Sequence, residues 1–432
     1  MWRTVTQVLI VLALAAGAWA FLAAFAIGHG SFDLQVYYGA VNYWLHGAGE
    51  VYDYLLPYTK YGFTYPPFAA LTMSPMAVLP WWAVNALSIA ASVLVSLVVL
   101  DWFLRPVAKR QGWPRWFTVA VAACFAAIFE PLRETVSFGQ VNMLLLFLVL
   151  VDFRRFVGRG SKLGGAAVGL ATAVKLTPGI FVLYLLVTGR YRAAVTAMAT
   201  AAGATVLAML IAPDASREFW TDALWDTDRV GTLSFVSNQS LEGLVARLNP
   251  VHPSGALWAV LVLVALGAWA WRARRAVQAG DDIAGVALTG VVACLVSPVT
   301  WVHHLVWLIP ALLLLFDRGL LIRGRRGWTW LGIFLVLYGV LCSRLVWAFG
   351  HHFTDIGILL SNAYVVASVI LLLVLPIQPT PASGQPAGVP ELGQVDHGPV
   401  GPADGVAGVA TVGREPGPLV EPSGLTVVRE HP

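Results

Sequence analysis

Charge is scarce in this chain of 432 residues: Asp, Glu, Lys and Arg make up 12% of it, against 58% hydrophobic residues and a mean hydropathy of +0.74. That balance excludes a soluble domain built round one ordinary core and leaves a polytopic membrane protein. Cysteine is nearly absent. Cys124, Cys294 and Cys342 each lie inside an apolar run and read as small buried side chains, without disulfide or metal spacing. The sequence has no phosphate-binding glycine loop, nucleophile elbow or Walker motif, so nucleotide-driven chemistry has no support. An internal repeat is also lacking. The pI near 9.0 does not call for nucleic acid, because the basic residues stand in short clusters between apolar runs.

Span-length hydrophobic runs are what the chain has in abundance. They fall near 5–27, 82–104, 116–130, 141–153, 193–212, 255–272, 283–300, 304–316, 328–347 and 355–376. The stretch 163–188 is interrupted at Lys175-Leu176-Thr177-Pro178-Gly179 and reads as two short helices meeting at an apex. The expectation is an all-α polytopic membrane protein with about twelve helical segments. The first run imitates a secretory signal but continues to Ile27 and is followed by further spans, so it reads as an uncleaved anchor. Every second connection is basic, and these hold 18 of the 27 Lys and Arg residues, which assigns them to the cytoplasm. The connections 28–68, 131–140, 213–254, 301–304 and 348–354 then share the outer face. Residues 67–80, apolar but short and carrying Pro75 and Pro80, suit an interfacial or re-entrant helix. Residues 1–376 form the predicted membrane domain. Residues 377–432, rich in Pro, Gly and Val and without helical or strand period, are expected to be a disordered cytoplasmic tail.

The polar groups collect on the outer connections. Asp33, six residues past Ile27, is a candidate general base tuned by desolvation, or else a helix cap before Leu34-Gln35-Val36-Tyr37. Tyr37, Tyr52, Asp53, Tyr58, Lys60, Tyr61 and Tyr65 follow in the same 41-residue loop. Aromatic faces beside hydrogen-bonding groups suit sugar rings, although an interfacial aromatic belt uses the same residues. An ionisable group within a membrane costs roughly 2.5–3.5 kcal/mol, so Lys175 asks for a reason. It either snorkels or pairs with Glu130 or Glu134, or it holds the phosphate of a lipid-linked substrate. Glu130, Arg133, Glu134, Gln140 and Asn142 are either a salt-bridged cap or part of the site. His303 and His304 point about 100° apart on a helix, which does not make a metal pair, but one of them can reach a phosphate. His351, His352 and Asp355 have a spacing that a metal can use, but no further ligand is marked and no metal is expected. Ser237-Asn238-Gln239-Ser240 offers uncharged donors and acceptors for a hydroxyl-rich ligand, or caps the helix that follows.

Five motifs in order carry a resemblance: Asp33-Leu34-x-Val36-Tyr37, Tyr61-Gly62-x-x-Tyr65-Pro66-Pro67, Lys175-x-x-Pro178, Asn238-Gln239-Ser240 and Ser297-Pro298-x-x-Trp301-x-His303-His304. Over residues 1–376 the chain resembles glycosyltransferase family 87, the polyprenyl-phosphate-mannose-dependent α-mannosyltransferases of actinobacterial envelopes. Within that family it looks most similar to the α-(1→2)-mannosyltransferases of lipomannan and lipoarabinomannan synthesis. The resemblance implies a GT-C membrane fold with a long first periplasmic loop, a plasma-membrane location and a periplasmic site. It also implies inverting transfer from a β-linked polyprenyl-phosphate-mannose donor to a lipoglycan or oligomannoside acceptor, with Asp33 as base. Phosphate binding is then expected of His303, His304, Lys175 and Arg344, and sugar or acceptor binding of Tyr37, Tyr61, Tyr65, Asn238, Gln239 and Glu130. Neither a cofactor nor a nucleic-acid partner is expected. A transporter or flippase of a lipid-linked sugar, which also uses broken helices and intramembrane charge, is the alternative.

Overall fold

Helices account for nearly all of the regular structure. The computed structural model describes residues 2–378 apart from 227, 228, 230 and 351–355, all within the compact unit Met1–Thr380. In chain order the helices are α1 (Trp2–Phe25), α2 (Phe32–Leu45), α3 (Pro67–Met73), α4 (Trp81–Gln111), α5 (Arg115–Ile128), α6 (Glu130–Phe138) and α7 (Asn142–Val151). After them come α8 (Ala166–Val174), α9 (Ile180–Val187), α10 (Tyr191–Ile211), α11 (Pro213–Glu218), α12 (Leu241–Leu248) and α13 (Gly255–Gln278). The last are α14 (Asp282–Val296), α15 (Ile309–Leu321), α16 (Arg325–Cys342), α17 (Leu345–Ala348), α18 (Ile356–Ser361) and α19 (Ala363–Val374). Among the described residues the one β feature is an isolated antiparallel bridge, Leu55 to Gly62.

The helices follow the apolar runs, but many are shorter than a bilayer requires. Five are long and apolar enough to cross a membrane by length and composition, or six if the bent pair α5–α6 counts as one span. Further apolar helices of 10–17 residues accompany them, among them Asp282–Val296 and Ala363–Val374. Proline and glycine shorten the others. α5 and α6 meet at 74° around Phe129, with Pro131 in the first turn of α6. α8 and α9 are parted at Lys175, whose backbone is extended, and at the Thr177–Gly179 turn, as the interrupted stretch predicts. The run at 355–376 divides at Asn362 into α18 and α19. α1 is apolar all round with no part of its span buried, the character of a lipid-facing helix.

Two buried cores hold these elements. The larger joins α4, α7–α10, α13–α16 and α19, with α14 at its centre and covered on nearly every side from Ala284 to Leu295. The smaller belongs to the first loop. Leu34, Tyr37 and Val41 of α2 pack with Val51, Tyr52, Phe63 and Tyr65 of the loop, with Ala69 and Met73 of α3, and with Phe219. The 41-residue connection is thus a folded unit containing its own helix. Helix α3 and the single-turn Ser74–Val78 segment dock on α2, α8 and α10.

α4 relates the two ends of the bundle, since its 31 residues span about 46 Å at 1.5 Å per residue. Its start touches the first loop, where Asn85 accepts from the Ser31 hydroxyl (2.7 Å) and Trp81 packs on Tyr38. Its other end carries Lys109 and Arg110 and closes on Gly112, left-handed at φ 67°. At that basic end Arg110 pairs with Asp317, Arg115 with Asp101 (2.8 Å), Arg190 with Asp282 (2.5 Å) and Arg318 with Asp281. Ile377 packs on the larger core and the Gln378 N–H donates to Asp281 (3.0 Å). Residues 379–432, the rest of the expected tail, lie outside the described residues, as do His351, His352 and Asp355.

Candidate active site

Asp33 is set by the turn that starts α2. Ser31 occupies the cap position in a left-handed conformation (φ 57°), which places Asp33 within the first helical turn and not at the cap. Its half-buried carboxylate faces the start of α7, where the Gln140 amide donates to Oδ2 (2.7 Å). Gly139 makes this approach possible. It closes α6 at φ 71°, and a Cβ there would stand 2.5 Å from Leu34 Cβ, a neighbour of Asp33 in the chain.

From Gln140 a continuous hydrogen-bonded chain runs into the bundle. The Tyr65 hydroxyl donates to Gln140 Oε1 (2.9 Å) and accepts from the Tyr37 hydroxyl (2.8 Å). Lys175 Nζ donates to the Tyr65 hydroxyl (3.1 Å) and to Asn142 Oδ1 (2.9 Å), and lies 3.1 Å from His304 Nε2. The break between α8 and α9 releases Lys175 from helical packing and aims it at this knot. His304 is fixed from its other side, where the Trp301 N–H donates to Nδ1 (3.2 Å). In the neutral tautomer whose Nδ1 accepts that N–H, the proton lies on Nε2 and two donors converge where Lys175 meets His304. An anionic oxygen entering there accepts from both.

His303 stands beside this knot, its ring 4.6 Å from that of His304 and 5.1 Å from Phe138. Its carbonyl accepts from Thr135 (2.7 Å) and Asn142 (3.2 Å), while its buried Nε2 has no hydrogen-bond partner among the described residues. Burial pushes the Asp33 carboxyl up to about 6, against the downward pull of the Gln140 hydrogen bond and of the charges on Lys175 and His29. A carboxylate titrating near neutrality within reach of a lysine is the profile of a proton-transfer group.

A second polar cluster lies along α6. Glu130, wholly buried, accepts from Trp347 Nε1 (2.7 Å) and from the Tyr364 hydroxyl. Arg344 lies 3.8 Å from Glu130 and 3.7 Å from Glu134, and Glu134 meets His29 Nε2 at 2.7 Å. Arg344 is left-handed at φ 56°, so two of the three non-glycine residues with positive φ among those described, Ser31 and Arg344, flank the polar clusters.

The expected site residues therefore separate into groups. Asp33, Tyr37, Tyr65, Lys175, His303 and His304 come together, while Glu130 and Arg344 belong to the neighbouring α6 cluster. Tyr61 is exposed, its ring edge-on to Phe32 at 5.7 Å. Asn238 and Gln239 are wholly buried and already spend their amides on the backbone: Asn238 on Leu233, Pro298 and Thr300, Gln239 on Val236, Ser361 and Val365. They brace the segment bearing the histidines. His29 escaped the sequence reading; its one signal was a lone histidine just past the first span, with a carboxylate partner 105 positions away in the chain. Among the described residues no group of three or more His, Cys, Asp and Glu is gathered for a metal ion.

A helical membrane bundle that gathers a carboxylate, a lysine and paired histidines at one end has the form of a polytopic membrane enzyme. The family model described as glycosyltransferase family 87 matches residues 63–298. A Mycobacterium tuberculosis protein named polyprenol-phosphate-mannose-dependent alpha-(1-2)-phosphatidylinositol mannoside mannosyltransferase is 34% identical over 301 residues, covering 66% of this chain and 69% of its own. A Mycolicibacterium smegmatis protein named as the corresponding pentamannoside mannosyltransferase is 34% identical over 353 residues, covering 77% of this chain and 81% of its own. No solved structure matches. The chain belongs to glycosyltransferase family 87 and is a glycosyltransferase.

Proposed function

We propose that this glycosyltransferase moves mannose from a polyprenyl-phosphate carrier to a mannoside acceptor at the periplasmic face, with Asp33 as general base. The observation that carries this reading is the hydrogen-bonded chain Asp33–Gln140–Tyr65–Lys175 with His304 Nε2 3.1 Å from its lysine end, which couples a proton acceptor to a pair of anion-binding donors. The donor class comes from the names of the relatives, and so do the mannoside acceptor and the α-(1→2) linkage. The arginine-rich opposite end of the bundle, read by the positive-inside rule, supports a periplasmic position for the first loop.

In this reading an acceptor hydroxyl loses its proton to Asp33 as its oxygen bonds to the anomeric carbon. The bond from that carbon to the phosphate oxygen breaks, and the carrier departs as polyprenyl phosphate. One displacement turns a β-linked donor into an α-linked product, the anomer in the relatives' names. The leaving phosphate accepts from Lys175 Nζ and from the Nε2–H of His304, with His303 beside them, in a site that needs little reorganisation. Tyr37 and Tyr65 hold Gln140, which orients Asp33. Arg344, paired with both glutamates, fixes the α6 wall, and exposed Tyr61 offers its ring to the acceptor sugar. The isoprenoid tail takes the groove of about 380 Å³ lined by apolar side chains of α4, α5, α15 and α16, including Val99, Phe125, Leu312 and Tyr338. That groove does not touch Asp33; it accommodates the part of the donor that does not react.

The test is incubation of the purified full-length protein with polyprenyl-phosphate-mannose and an oligomannoside or phosphatidylinositol mannoside, followed by linkage analysis. The reading requires a new α-(1→2)-linked mannose, and movement of the lipid-linked sugar across vesicles without transfer would overturn it. A finer test uses Gln140→Leu. Losing the amide donor removes a contact that favours the ionised carboxylate, so the acidic limb of kcat/KM should move to higher pH.

A further inference from the structure

α6 presents one side chain that neither the knot around Lys175 nor the Glu130 cluster uses. Arg133 is only 9% exposed, and among the described residues none of its guanidinium nitrogens has a hydrogen-bond partner. Its nearest carboxylate, Glu130, stands 4.0 Å away and is occupied by Trp347 and Tyr364. Its guanidinium also lies over the face of Phe21 in α1, 5.9 Å from the ring centroid. A buried guanidinium with no acceptors is costly unless a ligand supplies them, and its planar fork matches a phosphate.

The position of Arg133 says which phosphate. Phe129 and Leu132, just before it in the chain, line the apolar groove, and so does Tyr338, stacked on Phe129. From Arg133 the charged groups continue as Glu130, Arg344, Glu134 and His29 towards Asp33, whose carboxyl feels the His29 charge. We propose that Arg133 gives the carrier's phosphate its first contact where the tail groove meets the polar clusters, before that phosphate reaches Lys175 and His304, so that it governs capture of the carrier and not the chemical step. This rests on the donor class proposed above. A buried cation beside an apolar groove is complementary to an isoprenoid monophosphate, and free phosphate leaves the groove unfilled.

Arg133→Gln and Arg133→Lys in full-length protein in nanodiscs test it, each checked for an unchanged thermal unfolding midpoint. The Gln variant should raise the KM for polyprenyl-phosphate-mannose at least tenfold, with kcat and the acceptor KM within twofold of wild type, and the Lys variant should recover part of the loss. Direct binding of sugar-free polyprenyl phosphate should weaken in parallel, whereas binding of phosphatidylglycerol should not change. An unchanged donor KM in Arg133→Gln overturns the proposal, and so does an equal loss for phosphatidylglycerol. The binding arm separates the two claims: wild-type protein that binds polyprenyl phosphate through Arg133 but transfers no mannose retains this proposal and loses the function above. Should the Gln variant fail to fold, Arg133→Lys carries the same readouts, and an unchanged donor KM together with unchanged carrier binding in it counts against the proposal.

Discussion

Asp33→Asn is expected to lower kcat by about a thousandfold, within the range that a positioned acid or base contributes. The substitution preserves shape, and an Asn oxygen can still accept from the Gln140 amide, so the donor KM should change little. Stability should not suffer. The folded pKa of Asp33 is raised from 3.8 to about 6, so its ionised form is disfavoured by folding. That penalty is fully present above pH 6 and is relieved as pH falls through 6 towards 4. Removing the charge with Asn should therefore leave the thermal midpoint at pH 7 unchanged or higher. A variant that folds and keeps full activity would take the base role from Asp33.

Lys175→Met should produce the second-largest loss, about a hundredfold or more in kcat, on the scale of losing one preorganised electrostatic donor. The methionine chain fills the same space between α8 and α9 but leaves Asn142 Oδ1 without its lysine donor and the leaving phosphate without a cation. Kinetics with donors of differing leaving-group acidity locate the effect. If Lys175 acts on the departing phosphate, the loss shrinks for donors whose carrier phosphate is a better leaving group. An equal loss across such donors assigns Lys175 to scaffolding of the Tyr65–Asn142 knot instead.

Asp33 and Lys175 were legible in the sequence because each interrupts or directly follows a long apolar run, where an ionisable group is costly. The break at Lys175–Gly179 and the apolar segments were legible for the same reason, since Pro178 and the run boundaries are local signals. The wiring was not. Gln140 reaches Asp33 across 107 positions, Tyr65 reaches Lys175 across 110, and Lys175 reaches His304 across 129, contacts with no local signature. Asn238 and Gln239 show the reverse difficulty: a run of amides reads equally as a ligand surface or as a backbone brace, and only their burial and partners separate the two. Sequence runs do not show where a helix breaks, and α9, α14 and α19 are apolar but too short to count alone as spans by length. The packing of the first loop, with Tyr52 and Phe63 against Phe219, depends on a segment over 150 positions away and has no period to betray it.

The pH dependence of kcat/KM for mannosyl transfer by the wild-type protein tests the account most directly. The account predicts a limb on which activity falls tenfold per pH unit below an apparent pKa of about 6, and that limb should be absent from the residual activity of Asp33→Asn. A rate that stays flat through pH 5, or a limb that survives in Asp33→Asn, would contradict it.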